Sequence, residues 1–232
     1  MKKLIFISIF LLGLTSHVNA NTVNVGVSLT GGVFDAAGSE IFSGDHVSNA
    51  SSTKVTKKSS AEGEDVETLF GYGSIFAEFT PSEIADGMLS IGLDYVPMGL
   101  DSQTTENVQK TGAYPGSDVT NKVDVSFDDM RTVYLKLQTP IGAYFKIGYT
   151  EVDVVTNEVL GTGGKYGDTT LEGTTIGIGY NHNLNDGMFV RLEGNLMDFD
   201  DVTLTNQNDS NKSIKAEDIE GYGARLSVGK SF

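Results

Sequence analysis

Apolar and polar residues alternate one by one along eight segments of the chain. In one of them, Val190 and Leu192 alternate with Arg191 and Glu193. A period of two is typical of a β-strand whose two faces meet different surroundings. No segment shows a capped 3.6-residue apolar period, so the sequence predicts an all-β protein with essentially no helix. The predicted strands span residues 21–33, 67–80, 87–97, 126–139, 143–152, 171–182, 187–198 and 221–232.

The connections between the predicted strands alternate in length. Three are short and contain Pro, Gly, Asn or Asp, the residues that tight turns favour: 81–87, 140–142 and 183–187. Four are long and polar: 34–66, 98–125, 153–170 and 199–220. Short turns on one rim and long loops on the other are typical of outer-membrane barrels. We therefore predict an eight-stranded antiparallel up-and-down transmembrane β-barrel with long extracellular loops and short periplasmic turns.

The first twenty residues have the pattern of a secretory signal peptide. Lys2 and Lys3 precede an apolar run over residues 4–14, and Val18-Asn19-Ala20 supplies small residues at a cleavage site. The apolar run is too short to cross about 30 Å of hydrocarbon as a helix. We therefore predict a signal peptide at 1–20, an exported chain, and a barrel domain at 21–232.

Seven charged residues lie at mid-strand positions on the polar faces. In a membrane barrel these faces line the lumen, where the charges must pair because an unpaired buried charge is costly. In a soluble barrel the same residues would be scattered surface charges of little energetic value. The strand patterns fit both alternatives, but the loop lengths and the predicted signal peptide favour the membrane barrel and hence a lumen charge network. The residues are Glu78, Asp94, Lys136, Lys146, Arg191, Glu193 and Arg225.

The C-terminal segment YGARLSVGKSF carries the one motif with some specificity. It ends on Phe232, and apolar residues occupy alternate positions before it: Tyr222, Ala224, Leu226 and Val228. This resembles the terminal strand signal of bacterial outer-membrane proteins, although Lys230 places a cation on the apolar face. In architecture the whole predicted barrel resembles the small eight-stranded OmpA/OmpX-type and opacity-type surface proteins.

The resemblance implies several partners and a location. It implies a Gram-negative outer membrane with its lipid as surroundings, and insertion from the periplasm as a monomer. Periplasmic chaperones and the barrel assembly machinery would be the partners, with Tyr222, Leu226, Val228 and Phe232 as the assembly signal. The loops would face outside, where they could contact an extracellular ligand.

Composition removes several classes of function. The formal net charge of -15 argues against binding to nucleic acid, and the absence of cysteine excludes disulfides and thiolate sites. Beyond the predicted signal peptide the histidines are His46, in a predicted loop, and His182, at a predicted turn, so no strand-borne catalytic triad is visible. Acidic clusters at 128–129 and 198–201 match no calcium loop. We predict no enzyme activity, cofactor or metal.

Three functions from different classes remain. The first is a non-enzymatic surface barrel, structural or adhesive, whose loops contact the exterior. The second is a narrow pore or a conduit for hydrophobic small molecules, although eight strands leave an interior that side chains just fill. The third is a soluble periplasmic ligand-binding barrel, which would need the apolar faces to line a cavity.

Overall fold

Eleven antiparallel strands make up almost all of the described chain. The computed structural model describes residues 21–42, 68–101, 105–111, 117–160, 164–208, 210 and 212–232, so the predicted signal peptide lies outside it. The strands are β1 (Thr22–Phe42), β2 (Thr68–Thr80), β3 (Leu89–Tyr95), β4 (Leu100–Asp101), β5 (Thr105–Thr111), β6 (Ser117–Gln138), β7 (Ala143–Leu160), β8 (Thr169–Asn183), β9 (Met188–Phe199), β10 (Val202–Thr205) and β11 (Lys212–Ser231).

Eight of these strands close into a ring. Hydrogen-bonded neighbours follow the order β1–β2–β3–β6–β7–β8–β9–β11, and β11 pairs with β1 to close the barrel. The seam runs from the pair Asn24 and Ser231 to the pair Phe42 and Lys212. The short strands β4 and β5 pair with β6, and β10 pairs with β11. The predicted fold class, an eight-stranded antiparallel barrel, is confirmed.

The strands on the long-loop side continue well beyond their predicted ends. The predicted loops 34–66, 98–125, 153–170 and 199–220 are wrong as wholly irregular segments, because parts of each extend the barrel wall. β7 shows why these extensions were not predicted. Val152 and Val154 point inward while Glu151 and Asp153 point outward, so the alternation continues into a segment that is rich in polar residues. The outward positions there carry polar side chains, so the segment has the composition of a loop although its backbone is a strand.

Two β-bulges reverse the inward and outward positions of their strands. One extra residue in β6 falls between Asp128 and Arg131, and another in β11 falls near Asp218. Asp129 and Asp218 both have φ of 51°, a left-handed conformation that Asp adopts more readily than most residues. In β6 the inward side chains are therefore even-numbered between the bulge and the short-turn end of the strand, and odd-numbered on the other side of the bulge.

Tight turns connect the strands at the opposite rim, here called the short-turn rim. Two of them contain single 3-10 turns, Ala85–Gly87 and Asn185–Gly187, in which Asp86 and Asp186 have positive φ. The near absence of helix agrees with the prediction. Within the described residues, no helix is long and apolar enough to cross a membrane.

The two faces of the wall differ sharply in chemistry. The outward side chains are apolar along most of each strand and remain well exposed, as with Leu29 at 67%, Ile178 at 69% and Leu192 at 62%. The inward side chains are buried, and charged or hydroxyl-bearing residues dominate the half of the lumen nearer the short-turn rim. A cluster of apolar side chains fills the other half.

Candidate functional site

All seven charged residues of the predicted network point into the lumen and are buried. Three carboxylates face four cationic groups, which leaves one formal positive charge in excess. They form three separate centres around Glu78, Glu193 and Asp94. Alternation in strands far apart in sequence brings them together, because every second side chain of every strand points to the same lumen.

Glu78 is the most heavily coordinated group. Arg191 donates from both terminal nitrogens to its two carboxylate oxygens, each at 2.6 Å, and Lys136 Nζ donates to Oε2 at 2.6 Å. Tyr134 donates its hydroxyl at 2.9 Å, and Asn24 donates its amide at 3.2 Å. Charge-assisted and bidentate bonds of this kind are the strong ones in proteins.

Arg191 is held on several sides. Its Nε donates to Asn181 Oδ1 at 2.8 Å, and its guanidinium lies 4.4 Å from the centre of the Phe189 ring and 5.2 Å from that of Phe76. Stacking on aromatic faces and a bidentate carboxylate are features that a lysine could not reproduce.

Two tyrosines connect the Glu78 centre to the Glu193 centre. Lys146 forms an ion pair with Glu193, to which Tyr144 also donates at 2.9 Å. The ring of Tyr144 lies under Lys136, the partner of Glu78, while the ring of Tyr134 lies under Lys146. Each tyrosine therefore donates to one carboxylate and packs its ring against the lysine of the other pair.

The third centre lies further from the short-turn rim. Arg225 Nη1 donates to Asp94 at 2.8 Å, its Nε donates to Thr30 at 3.0 Å, and Ser74 donates to the same carboxylate oxygen at 3.2 Å. A row of hydroxyls from Thr132, Thr150 and Thr175 crosses the wall at this level, with O···O distances of 2.8 and 2.7 Å. These bonds span β6, β7 and β8.

An apolar cluster closes the lumen beyond these polar layers. Its buried members come from β7, β8, β9 and β11, and the Phe34 ring lies 6.0 Å from that of Phe127 and 6.4 Å from that of Phe199. The sequence did not predict this cluster, because Val154, Phe199 and Ile219 lie in predicted loops. Its buried core is Val152, Val154, Leu171, Met197, Phe199 and Ile219.

The residues of the predicted assembly signal all lie on the outer face. Tyr222, Leu226, Val228 and Phe232 are exposed, and Lys230 lies with its Nζ 5.4 Å from the Phe232 ring. The backbone of Phe232 exchanges two hydrogen bonds with Val23, at 2.9 and 3.1 Å. The last residue therefore belongs to the seam of the barrel.

The rim opposite the short turns, here called the extended rim, carries charged residues that are partly exposed. Arg131 lies on the outside of the wall, where its Nε is 2.7 Å from Glu151 and its Nη2 is 3.6 Å from Asp153. A hydrogen bond with Glu217 raises the pKa of the Lys215 ammonium. Within the described ranges, no group of three or more acidic or histidine side chains could hold a metal ion.

Comparisons with known proteins return structural matches only. No family model matches the sequence, and no curated protein matches it. The structure matches OprG of Pseudomonas aeruginosa, an outer membrane protein, with a TM-score of 0.43 and 12% identity, covering 92% of this chain and 96% of that one. It also matches the outer membrane protease OmpT of Escherichia coli, with a TM-score of 0.40 and 8% identity, covering 93% and 99%.

A third match is Ail, the attachment invasion locus protein of Yersinia pestis. Its TM-score is 0.37 at 7% identity, covering 90% of this chain and 99% of that one. With identities this low and TM-scores below 0.5, none of these proteins indicates a role for this chain.

Proposed function

We propose that this chain is a non-enzymatic outer-membrane barrel with a closed lumen, whose extended rim contacts the exterior of the cell. The observation that carries the proposal is the orientation of the two faces. Apolar side chains point outward around the ring, and the seven charged residues of the network point inward. In water an exposed apolar surface of this extent is unfavourable, whereas in lipid it is the required arrangement.

The same orientation argues against a soluble ligand-binding barrel. That alternative needs the apolar faces to line a cavity, but Val27, Ile178 and Leu192 point outward with more than half of their surface exposed. Its polar faces would lie in solvent, yet Glu78 and Lys136 are almost fully buried in the lumen.

The filled lumen argues against a pore. A solute would have to break the three ion-paired centres and then pass the apolar cluster beyond them. Planar-bilayer recordings of the purified protein test this point, and we expect little or no steady conductance.

The extended rim supports a role in contact. Beyond the Arg131–Glu151 pair, β6 and β7 continue through eight more residue pairs, roughly 25 Å along the strands. This length exceeds what the apolar belt requires. It presents a surface whose charged residues are mostly acidic on one side of the barrel, while the other side has only tight turns.

Surface labelling of intact cells tests location and orientation together. An epitope tag at Asn208, near β10, should be accessible to antibody, whereas tags at Ala85 and Asn185 in the short turns should require permeabilised cells. The protein should fractionate with the outer membrane and resist extraction in detergent-free buffer. Labelling at Asn185 with none at Asn208 would show the opposite orientation, and recovery in the soluble periplasmic fraction would refute the membrane barrel.

A further inference from the structure

A polar cavity of about 330 Å³ lies between the short-turn rim and the Glu78 centre. Its inner end is formed by Lys136 and Arg191, both buried, and the rest of its lining is largely amide and hydroxyl side chains. Glu78 is not among the lining residues. The cavity is therefore lined by the two cations and not by the carboxylate that they share.

The Glu78 centre contains two cations, Lys136 and Arg191, and one carboxylate, so it has one positive charge in excess. Arg191 alone satisfies both carboxylate oxygens with a bidentate bond, and Lys136 adds a second full charge at 2.6 Å. The neighbouring Glu193–Lys146 and Asp94–Arg225 pairs are balanced within themselves. An uncompensated charge in such surroundings is unfavourable, so a counter-ion nearby would be stabilising.

Lys136 also retains hydrogen-bonding capacity. Within the part of the chain that the structure describes, its Nζ makes one hydrogen bond, to Glu78, although an ammonium has three N–H donors. The acid that lines the cavity is Asp86, which is exposed at its mouth on the short-turn rim, where solvent weakens its repulsion of an anion without removing it.

We infer that this cavity binds one small monovalent anion, such as chloride or formate, against Lys136 and Arg191. One negative charge matches the formal excess of the centre, and the volume exceeds the roughly 30 Å³ that a water molecule occupies, so the ion can keep part of its hydration. The proposal depends only on the lumen and holds whichever compartment the short-turn rim faces.

Chloride-35 NMR on the folded full-length protein in uncharged detergent micelles tests this site. Wild-type protein should broaden the chloride line in excess of empty micelles, and added formate should remove the excess. Lys136→Met leaves a neutral Glu78–Arg191 pair and should weaken the apparent affinity at least about tenfold. Lys230→Met makes the same charge change on the outer face and should leave the excess broadening unchanged.

Asp86→Asn provides a second test, which does not require a variant of the lumen to fold. Asn tolerates the left-handed backbone at this position, where φ is 53°, and removing the carboxylate from the cavity mouth should tighten binding. The inference is overturned if wild-type protein gives no excess broadening. It is equally overturned if Lys136→Met and Lys230→Met reduce the broadening alike, which would indicate binding to surface charge, or if Asp86→Asn leaves the affinity unchanged or weakens it.

Discussion

Replacing Glu78 with glutamine tests how much the lumen network contributes to stability. The substitution keeps the shape of the side chain but removes the negative charge between Lys136 and Arg191, which both approach it at 2.6 Å. The two cations would then be buried without a counter-charge. Removing one partner of a buried ion pair costs about 3–5 kcal/mol. We therefore expect Glu78→Gln to lower the free energy of unfolding by at least that amount.

Glu151→Gln is the matched control for this experiment. It removes the same charge from an ion pair with Arg131 on the outside of the wall, where both side chains are about one third exposed. Exposed pairs of this kind contribute about 0–1 kcal/mol. Far-UV circular dichroism during urea unfolding in lipid vesicles measures both variants, since the chain has no tryptophan to report by fluorescence.

A double variant sharpens the comparison. Lys136→Met in the Glu78→Gln background removes one of the two unpaired cations and should recover part of the lost stability, because residues in one network do not act additively. Equal losses below 1 kcal/mol for Glu78→Gln and Glu151→Gln would refute the assignment of a closed, weakly hydrated lumen network.

Three further predictions follow from the wall and its seam. Deleting Phe232 should reduce the heat-modifiable, membrane-inserted form on gels while export continues, whereas Phe232→Tyr should insert normally; equal insertion of the deletion would show that the C-terminal signal is accidental. Gly92→Ala should cost about 1–3 kcal/mol in urea unfolding because its Cβ would overlap the buried Tyr134 ring, while Gly194→Ala, with open space around it, should cost much less. Asp218→Val should lower the free energy of unfolding by about 1–2 kcal/mol because valine is strained at this left-handed bulge position, whereas Asp218→Gly should not. Equal effects of the two substitutions would show that the backbone conformation of the bulge does not determine them.

The sequence was enough to predict the ring and the composition of its lumen, because one periodicity repeats in eight segments. The alternation of β9 placed Arg191 and Glu193 on one face, and the loop lengths and the predicted signal peptide indicated that this face lines the lumen. Their partners could not be assigned, because Glu78 and Arg191 are 113 residues apart and meet across the lumen rather than along a hairpin. The roles of Tyr134 and Tyr144 could not be predicted for the same reason, although both residues lie on the predicted polar face.

The alternation of residues was not enough to predict the half of the barrel that lies away from the short-turn rim. On the side of Asp129 away from the short-turn rim, the inward positions of β6 shift by one residue. Phe127 therefore points into the lumen, although Val133, which is also odd-numbered, points outward. A pattern of period two carries no signal for where the extra residue falls. The contact of Phe127 with the apolar cluster consequently depends on a local backbone conformation, which residue type alone does not reveal, whereas the six buried core residues follow the regular alternation of their strands.

The seam between β1 and β11 has a consequence for the order of folding events. The first and last strands of the ring share the register from Asn24 with Ser231 onward, and side chains such as Ser28 and Ser227 bond across it. Contacts between such distant parts of a chain are slow to form because the loop must first be closed. Until then both edge strands present unpaired backbone groups that invite pairing with other chains. We therefore expect closure of this seam to be a late and slow step of folding, and we expect the two edge strands to be most prone to aggregation before it occurs.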